Sequence, residues 1–198
     1  DAAITLAEGI ASSEQAFAEM MSQQATKLGM QSTHYMNATG LPDPQHYTTA
    51  ADLAVLAGAL IRDFPEQYQR LYSKKEYTYN KITQPNRNRL LWLDPYVDGM
   101  KTGHTKTAGY CLIASAKRQD MRLISVILGA NSESARAVES QKLLNYGFQF
   151  FETKKIYQAN AIISTFKVWK GSENTLHASV PKDLYLSCLL YTSDAADE

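Results

Sequence analysis

Lys101-Thr102-Gly103-His104-Thr105 puts a compact ammonium, a hydroxyl and a glycine on consecutive residues. The lysine supplies positive charge and the threonine a second donor, while a glycine without Cβ lets a ligand's backbone come close. Together they suit a peptide that ends in a free carboxylate. A single tripeptide arises easily by chance, so the surrounding sequence has to give it meaning. Tyr110 to Ala116 is apolar, Lys117-Arg118-Gln119-Asp120 is a polar turn, and Met121 to Leu128 is apolar again. Two such runs predict an antiparallel hairpin with at least one central strand, and the motif then stands at the mouth of a sheet.

The chain has 198 residues, 44% of them hydrophobic, enough for one substantial core and a small second domain. Its net charge is zero, so nothing in the global balance draws it to nucleic acid or to anionic lipid. No apolar run approaches the roughly 20 residues that span a bilayer. Asp1-Ala2-Ala3-Ile4 carries neither a start methionine nor a basic leader region, and the expectation is a processed or truncated chain. Cys111 and Cys188 fit no metal or redox spacing and are expected as free thiols. His34 and His46 lack a helical i, i+4 arrangement and a neighbouring carboxylate or thiolate cluster, so neither a metal nor another cofactor is expected.

The positioning elements read as follows. Ser12 or Ser13 opens a helix whose face carries Phe17, Met20, Met21, Ala25 and Leu28, and Gly29 stops it. Residues 31–47 are irregular and rich in turn formers. Thr49 with Asp52 makes a capping box for a helix with Leu53, Leu56, Ala57, Leu60 and Ile61 on its buried stripe, ending before Pro65. Glu76 to Ile82 alternates as an exposed strand or ribbon, and Gln84 to Asn88 turns the chain towards Leu90-Leu91-Trp92. Ser132 or Ser134 caps a helix carrying Ala137, Val138, Leu143, Leu144 and Tyr146 up to Gly147. A boundary is expected near Phe151 or Glu152, followed by a small β unit.

The ordered set Asn37-x-x-Gly40-Leu41, His46-x-x-Thr49-Ala50-x-Asp52-Leu53-Ala54, Asn86-Arg87-Asn88 and Asp98 to Thr105 resembles the low-molecular-mass penicillin-binding proteins that act as D-alanyl-D-alanine carboxypeptidases. The likeness covers roughly residues 1 to 187. It implies an α/β fold of the α+β type: an antiparallel DD-peptidase/β-lactamase-like sheet flanked by helices, here incomplete, then a small β domain. Residues 1–151 would be a partial catalytic domain and 152–187 the start of the second. Residues 188–198, with Asp194, Asp197 and Glu198 beyond a lone cysteine, break the strand pattern and are expected to be a non-native, disordered tail. The family's amphipathic membrane anchor is expected to be absent from this chain.

The resemblance also implies a chemistry. A helix-borne Ser-x-x-Lys provides nucleophile and base, a Ser-x-Asn a second hydroxyl, and the Lys-Thr-Gly strand the carboxylate cradle. Only the third is expected here, with no catalytic residue in this chain, because the family's Asp-Ala after Ser-x-Asn matches Asp1-Ala2. Lys101 and Thr102 would hold the terminal carboxylate, Arg87 would stand near it, and Gly103 would keep the strand surface clear. The backbone N–H of His104 would share the oxyanion hole. The implied partners are a peptidoglycan stem peptide ending in D-Ala-D-Ala and β-lactam antibiotics, at the periplasmic or extracytoplasmic face of the bacterial membrane. Competing readings are a non-catalytic peptidoglycan-binding module and, further behind for want of a Glu-x-x-x-Asn loop, a β-lactamase.

Ser164-Thr165-Phe166-Lys167 and Ser179-Val180-Pro181-Lys182 match Ser-x-x-Lys by letter, and Ser172-Glu173-Asn174 matches Ser-x-Asn. A nucleophile and base three apart meet on a helix face and diverge on a strand. Strand character, a proline and a turn argue against these matches in turn.

Overall fold

The computed structural model describes residues 2–190. They divide into two compact units, one running to Arg118 and resuming from Arg122 to Asn145, the other comprising Gln119–Met121 and the chain from Tyr146 onward.

The first unit opens with α1 (Ala2–Ala11), which the spacing of apolar residues did not predict, and α2 (Glu14–Leu28). Of the two serines, Ser13 is the cap: its hydroxyl accepts from the Ala16 N–H at 3.1 Å. Ser12, at φ 65°, turns the chain between the helices. Gly29 closes α2 in the left-handed conformation, its N–H reaching the Ala25 and Thr26 carbonyls.

The irregular segment that follows is locked by side chains. Asp52 accepts from the Ser32 N–H at 2.8 Å and the Thr33 hydroxyl at 2.6 Å. Asn37 Oδ1 accepts from Gly40 and Leu41 N–H groups at 2.8 and 3.1 Å. His46 Nδ1 accepts from Met36 N–H at 3.3 Å. Much of the early family-like sequence pattern therefore does structural work: it satisfies backbone groups in a segment without regular partners.

Thr49 caps α3 (Ala50–Asp63) through the Asp52 N–H at 3.1 Å, as the capping box predicted. Pro65 does not merely follow a helix end. It begins α4 (Pro65–Tyr72), where its missing N–H costs nothing. A hairpin follows, β1 (Glu76–Tyr79) against β2 (Ile82–Pro85), turned by Asn80 and Lys81 at φ 47° and 63°. One helical turn, α5 (Leu90–Leu93), leads into the sheet.

That sheet is β3 (Val97–Thr105), β4 (Gly109–Arg118) and β5 (Met121–Ala130), in the order β3-β4-β5, with β3 antiparallel to β4. The two apolar runs are β4 and β5, and the Lys-Thr-Gly lies on the outer strand β3. Ala57, Tyr68 and Met100 form a buried core with Leu60, Ile61, Ile113 and Ile124 packed on it, which fixes β3 against α3 and α4. Finally α6 (Glu133–Phe150), capped by Ser132 through the Ala135 N–H at 3.0 Å, runs past Gly147 instead of stopping there. Its buried stripe is Arg136, Ala137, Ser140 and Leu144, while Val138, Leu143 and Tyr146 are exposed, contrary to the apolar face read from the sequence.

In the second unit β6 (Phe151–Tyr157) pairs antiparallel with β9 (Leu184–Leu189), and β7 (Ile162–Lys167) with β8 (Thr175–Ser179). Ser164 and Lys167 are both on β7, so no helical face brings them together, and Ser179 ends β8. Ser172 lies in the connection between those strands. The strand pattern does not break at Cys188: Cys188 and Leu189 complete β9 opposite Glu152 and Phe151. Leu190 follows β9, and residues 191–198 of the expected tail lie outside the described residues. Both cysteines are free.

Candidate functional site

β3 is an outer strand of the described sheet, so alternate backbone N–H and C=O groups on its open side have no strand partner. The site is built along that side. A cleft of about 430 Å³ is lined by Leu71, Tyr72, Asn86, Arg87, Met100, Lys101 and Thr102.

Arg87 reaches the cleft because two asparagines hold its loop. Asn88 is fully buried, donating to the Gly99 carbonyl at 2.9 Å and accepting from the Leu90 N–H at 3.2 Å. Asn86 accepts from the Asn88 N–H at 2.9 Å and donates to the Lys74 carbonyl at 2.9 Å. The Asn-Arg-Asn run is thus a clamp on either side of an exposed guanidinium.

Lys101 is exposed, and its ammonium donates to the Thr102 carbonyl. Desolvation, then the Arg87 and Arg136 guanidinium groups, hold its pKa below that of a free lysine. Among the described residues no carboxylate lies within ion-pair distance of Lys101 or Arg87. Lys101 and Arg87 thus lack a counter-charge there, and an anion beside them would relieve their mutual repulsion.

Gly103 and His104 continue β3 beyond the cleft. The His104 ring stacks on Tyr110 with centroids 3.9 Å apart, and the Arg136 guanidinium lies over the Tyr110 ring, 5.6 Å from its centroid. Arg136, only 2% exposed, donates from Nη1 to the Gly103 carbonyl at 3.1 Å. Its Nη2 makes no hydrogen bond and faces the Glu133 carboxylate at 3.6 Å. Spacing alone missed this residue. The available signal was an arginine in register with Ser140 and Leu144, four residues apart on one helix stripe.

A second supporting network was also missed. Asp98 accepts from the Tyr68 hydroxyl at 2.9 Å and from Arg122 at 2.8 Å, and Arg122 also donates to the Ser115 hydroxyl at 2.7 Å. It anchors β3 three residues before Lys101.

The two glycines of this strand differ in what they are for. A Cβ on Gly99 would lie 2.2 Å from the Tyr68 hydroxyl, whereas one on Gly103 would meet only the Cys111 Cβ at 3.7 Å. The fold therefore demands glycine at 99 and tolerates a methyl at 103. Gly99→Ala is expected to lower the melting temperature by about 4 °C or more through overpacking. Gly103→Ala is expected to leave melting unchanged, since the added methyl makes only an ordinary contact with Cys111. Thermal melts of the two variants check the pair.

The fold thus sets a cationic cleft beside the outer strand of a helix-backed antiparallel sheet. Comparison with known proteins gives the class: penicillin-binding D-alanyl-D-alanine carboxypeptidases. A D-alanyl-D-alanine carboxypeptidase family model matches residues 1–132, and a penicillin-binding protein 5 C-terminal domain model matches 151–188. The chain is 48% identical over 178 residues to D-alanyl-D-alanine carboxypeptidase DacC of Escherichia coli, covering 89% of this chain and 44% of that one. Penicillin-binding protein 5 of Haemophilus influenzae superposes with a TM-score of 0.88 at 43% identity, over 94% of this chain and 55% of its own. Penicillin-binding protein D2 of Listeria monocytogenes, solved with cefotaxime or ampicillin bound, matches 75% of this chain and, in the cefotaxime form, 60% of its own, with a TM-score of 0.69 at 36% identity. This chain belongs to the D-alanyl-D-alanine carboxypeptidase family. It spans about half the length of the relatives it matches.

Proposed function

We propose that this chain forms the carboxylate-binding side of a serine-type D-alanyl-D-alanine carboxypeptidase, which removes the terminal D-alanine of peptidoglycan stem peptides and is acylated by β-lactams. The observation that carries this reading is the uncompensated cationic cleft beside the open edge of β3. The peptide's carboxylate takes charge-assisted hydrogen bonds from Lys101 and Thr102, with Arg87 adding charge. The peptide backbone pairs with β3 over the bare Gly103, which aligns the scissile bond. The His104 N–H helps receive the negative charge that develops on the carbonyl oxygen. Such a substrate lies outside the cytoplasmic membrane, which assigns the protein to the periplasmic or extracytoplasmic face.

The nucleophile comes from a segment outside this chain. The Ser-x-x-Lys matches within it lie on or next to strands, and the relatives are about twice as long. Fluorescent penicillin is therefore expected to label the full-length protein and to leave this chain unlabelled. D-alanine release should follow the same pattern. A labelled band from this chain that vanishes in Ser164→Ala would overturn that assignment. Peptide binding by the full-length protein with neither labelling nor release would favour a non-catalytic peptidoglycan-binding module.

A further inference from the structure

One residue near the start of β3 has no partner in the strand ladder. Val97 pairs with Ala116 and Gly99 with Ser115, and from there to Thr105 each residue of β3 meets one of β4. Asp98 is the extra residue, and the strand bulges around it. That bulge decides the register of everything that follows. Lys101 stands opposite Ile113 and Thr102 opposite Leu112. Were Asp98 drawn into the ladder opposite Ser115, Met100 would take the place opposite Ile113, and Lys101 the place opposite Leu112. A slip of one residue turns each side chain to the other face of a sheet.

Aspartate is ill suited to a strand interior, and here its carboxylate is what clasps the bulge. Asp98 Oδ1 accepts from the Tyr68 hydroxyl on α4 at 2.9 Å, and the Arg122 guanidinium on β5 meets both carboxylate oxygens at 2.8 Å. Arg122 donates in turn to the hydroxyl of Ser115, the residue opposite Gly99, at 2.7 Å, and lies over the Tyr68 ring. The Arg122 and Asp98 side chains are only 27% and 31% exposed, so this is a sheltered two-pronged pair in which geometry counts as well as charge. Both cations of the cleft are placed from the same point. Lys101 follows Gly99 by two residues, and Arg87 immediately precedes the buried Asn88, whose amide holds the Gly99 carbonyl at 2.9 Å.

We propose, resting on the carboxypeptidase reading, that Asp98 is a positioning residue for D-alanine release: its bulge, clasped by Tyr68 and Arg122, sets the register in which Lys101 and Thr102 meet the substrate carboxylate. Asp98 acts through Lys101 and not on the substrate. Its loss therefore costs rate only while Lys101 is there to be misplaced.

The test is a double-mutant cycle in the full-length protein, read as kcat/KM for a peptide ending in D-Ala-D-Ala. Asp98→Ala should lower it about tenfold or more, since a small misplacement of a binding group is costly. Asp98→Asn, which keeps an oxygen for Tyr68 and Arg122, should recover most of that loss. Combined with Lys101→Ala, Asp98→Ala should lower the rate by less than about twofold further, because residues that act as one unit are not additive. Arg122→Met should behave like Asp98→Ala in the same cycle, which keeps the inference falsifiable where Asp98→Ala fails to fold. Losses that multiply in the double variants would reduce the network to a stabilising role and overturn the inference. So would Asp98→Ala and Arg122→Met proteins as active as the parent. A parent that releases no D-alanine would instead refute the carboxypeptidase reading, and the positioning role with it.

Discussion

Lys101→Ala in the full-length protein is expected to lower D-alanine release and β-lactam acylation together, each by on the order of a hundredfold or more. The ammonium stands in a cleft with Arg87 and Thr102 and has no carboxylate partner among the described residues. Its favourable interaction therefore waits for the ligand. Lys106 provides the control, being an exposed lysine in the turn after β3. A surface lysine of that kind changes stability by less than about 0.5 kcal/mol when truncated, and Lys106→Ala should leave both activities near those of the parent. Equal activity in the two variants would remove the carboxylate cradle from the mechanism. Matching melts of both would show that folding is not the cause of any difference.

Arg136→Met is the second large expected effect, on the order of tenfold in rate, and acts through another residue. The substitution removes the hydrogen bond to the Gly103 carbonyl and the charge that helps depress the Lys101 pKa. Lys101 must be protonated to hold a carboxylate, so activity falls as pH rises through its pKa. Taking away a neighbouring cation raises that pKa, and the alkaline limb of the pH–rate profile should move to higher pH in Arg136→Met. Arg136→Lys restores the charge without the same donor geometry and should bring the limb back towards its original place. A purely structural loss would lower the rate and leave the limb where it was.

Local signals were well placed in the sequence. Thr49 with Asp52, Gly29 as a helix stop, and the pair of apolar runs flanking a polar turn each depend on neighbours in the chain, and each has its counterpart in the structure. Pro65 was ambiguous because a proline that forbids continuing one helix is well suited to starting the next. The β1–β2 turn has Asn80-Lys81 instead of the usual Asn-Gly, so its position was blurred. What could not be read were contacts across the chain. Arg136 meets Gly103 from 33 residues away, and Tyr68 meets Asp98 from 30. Motif spacing located the strand that carries the candidate site. The groups that hold this strand in place come from helices whose inward faces include polar residues, which hydrophobic periodicity passes over.

The open edge of β3 also bears on how the protein behaves in concentrated solution. A row of unpaired backbone groups is a template for edge-to-edge association between copies, the usual first step towards aggregation. Here that edge lies beside Lys101 and Arg87, so a second copy docking the same way would bring cation against cation. The charges beside this edge thus also act as gatekeepers against self-association, a protection that weakens as added salt shortens the range of repulsion.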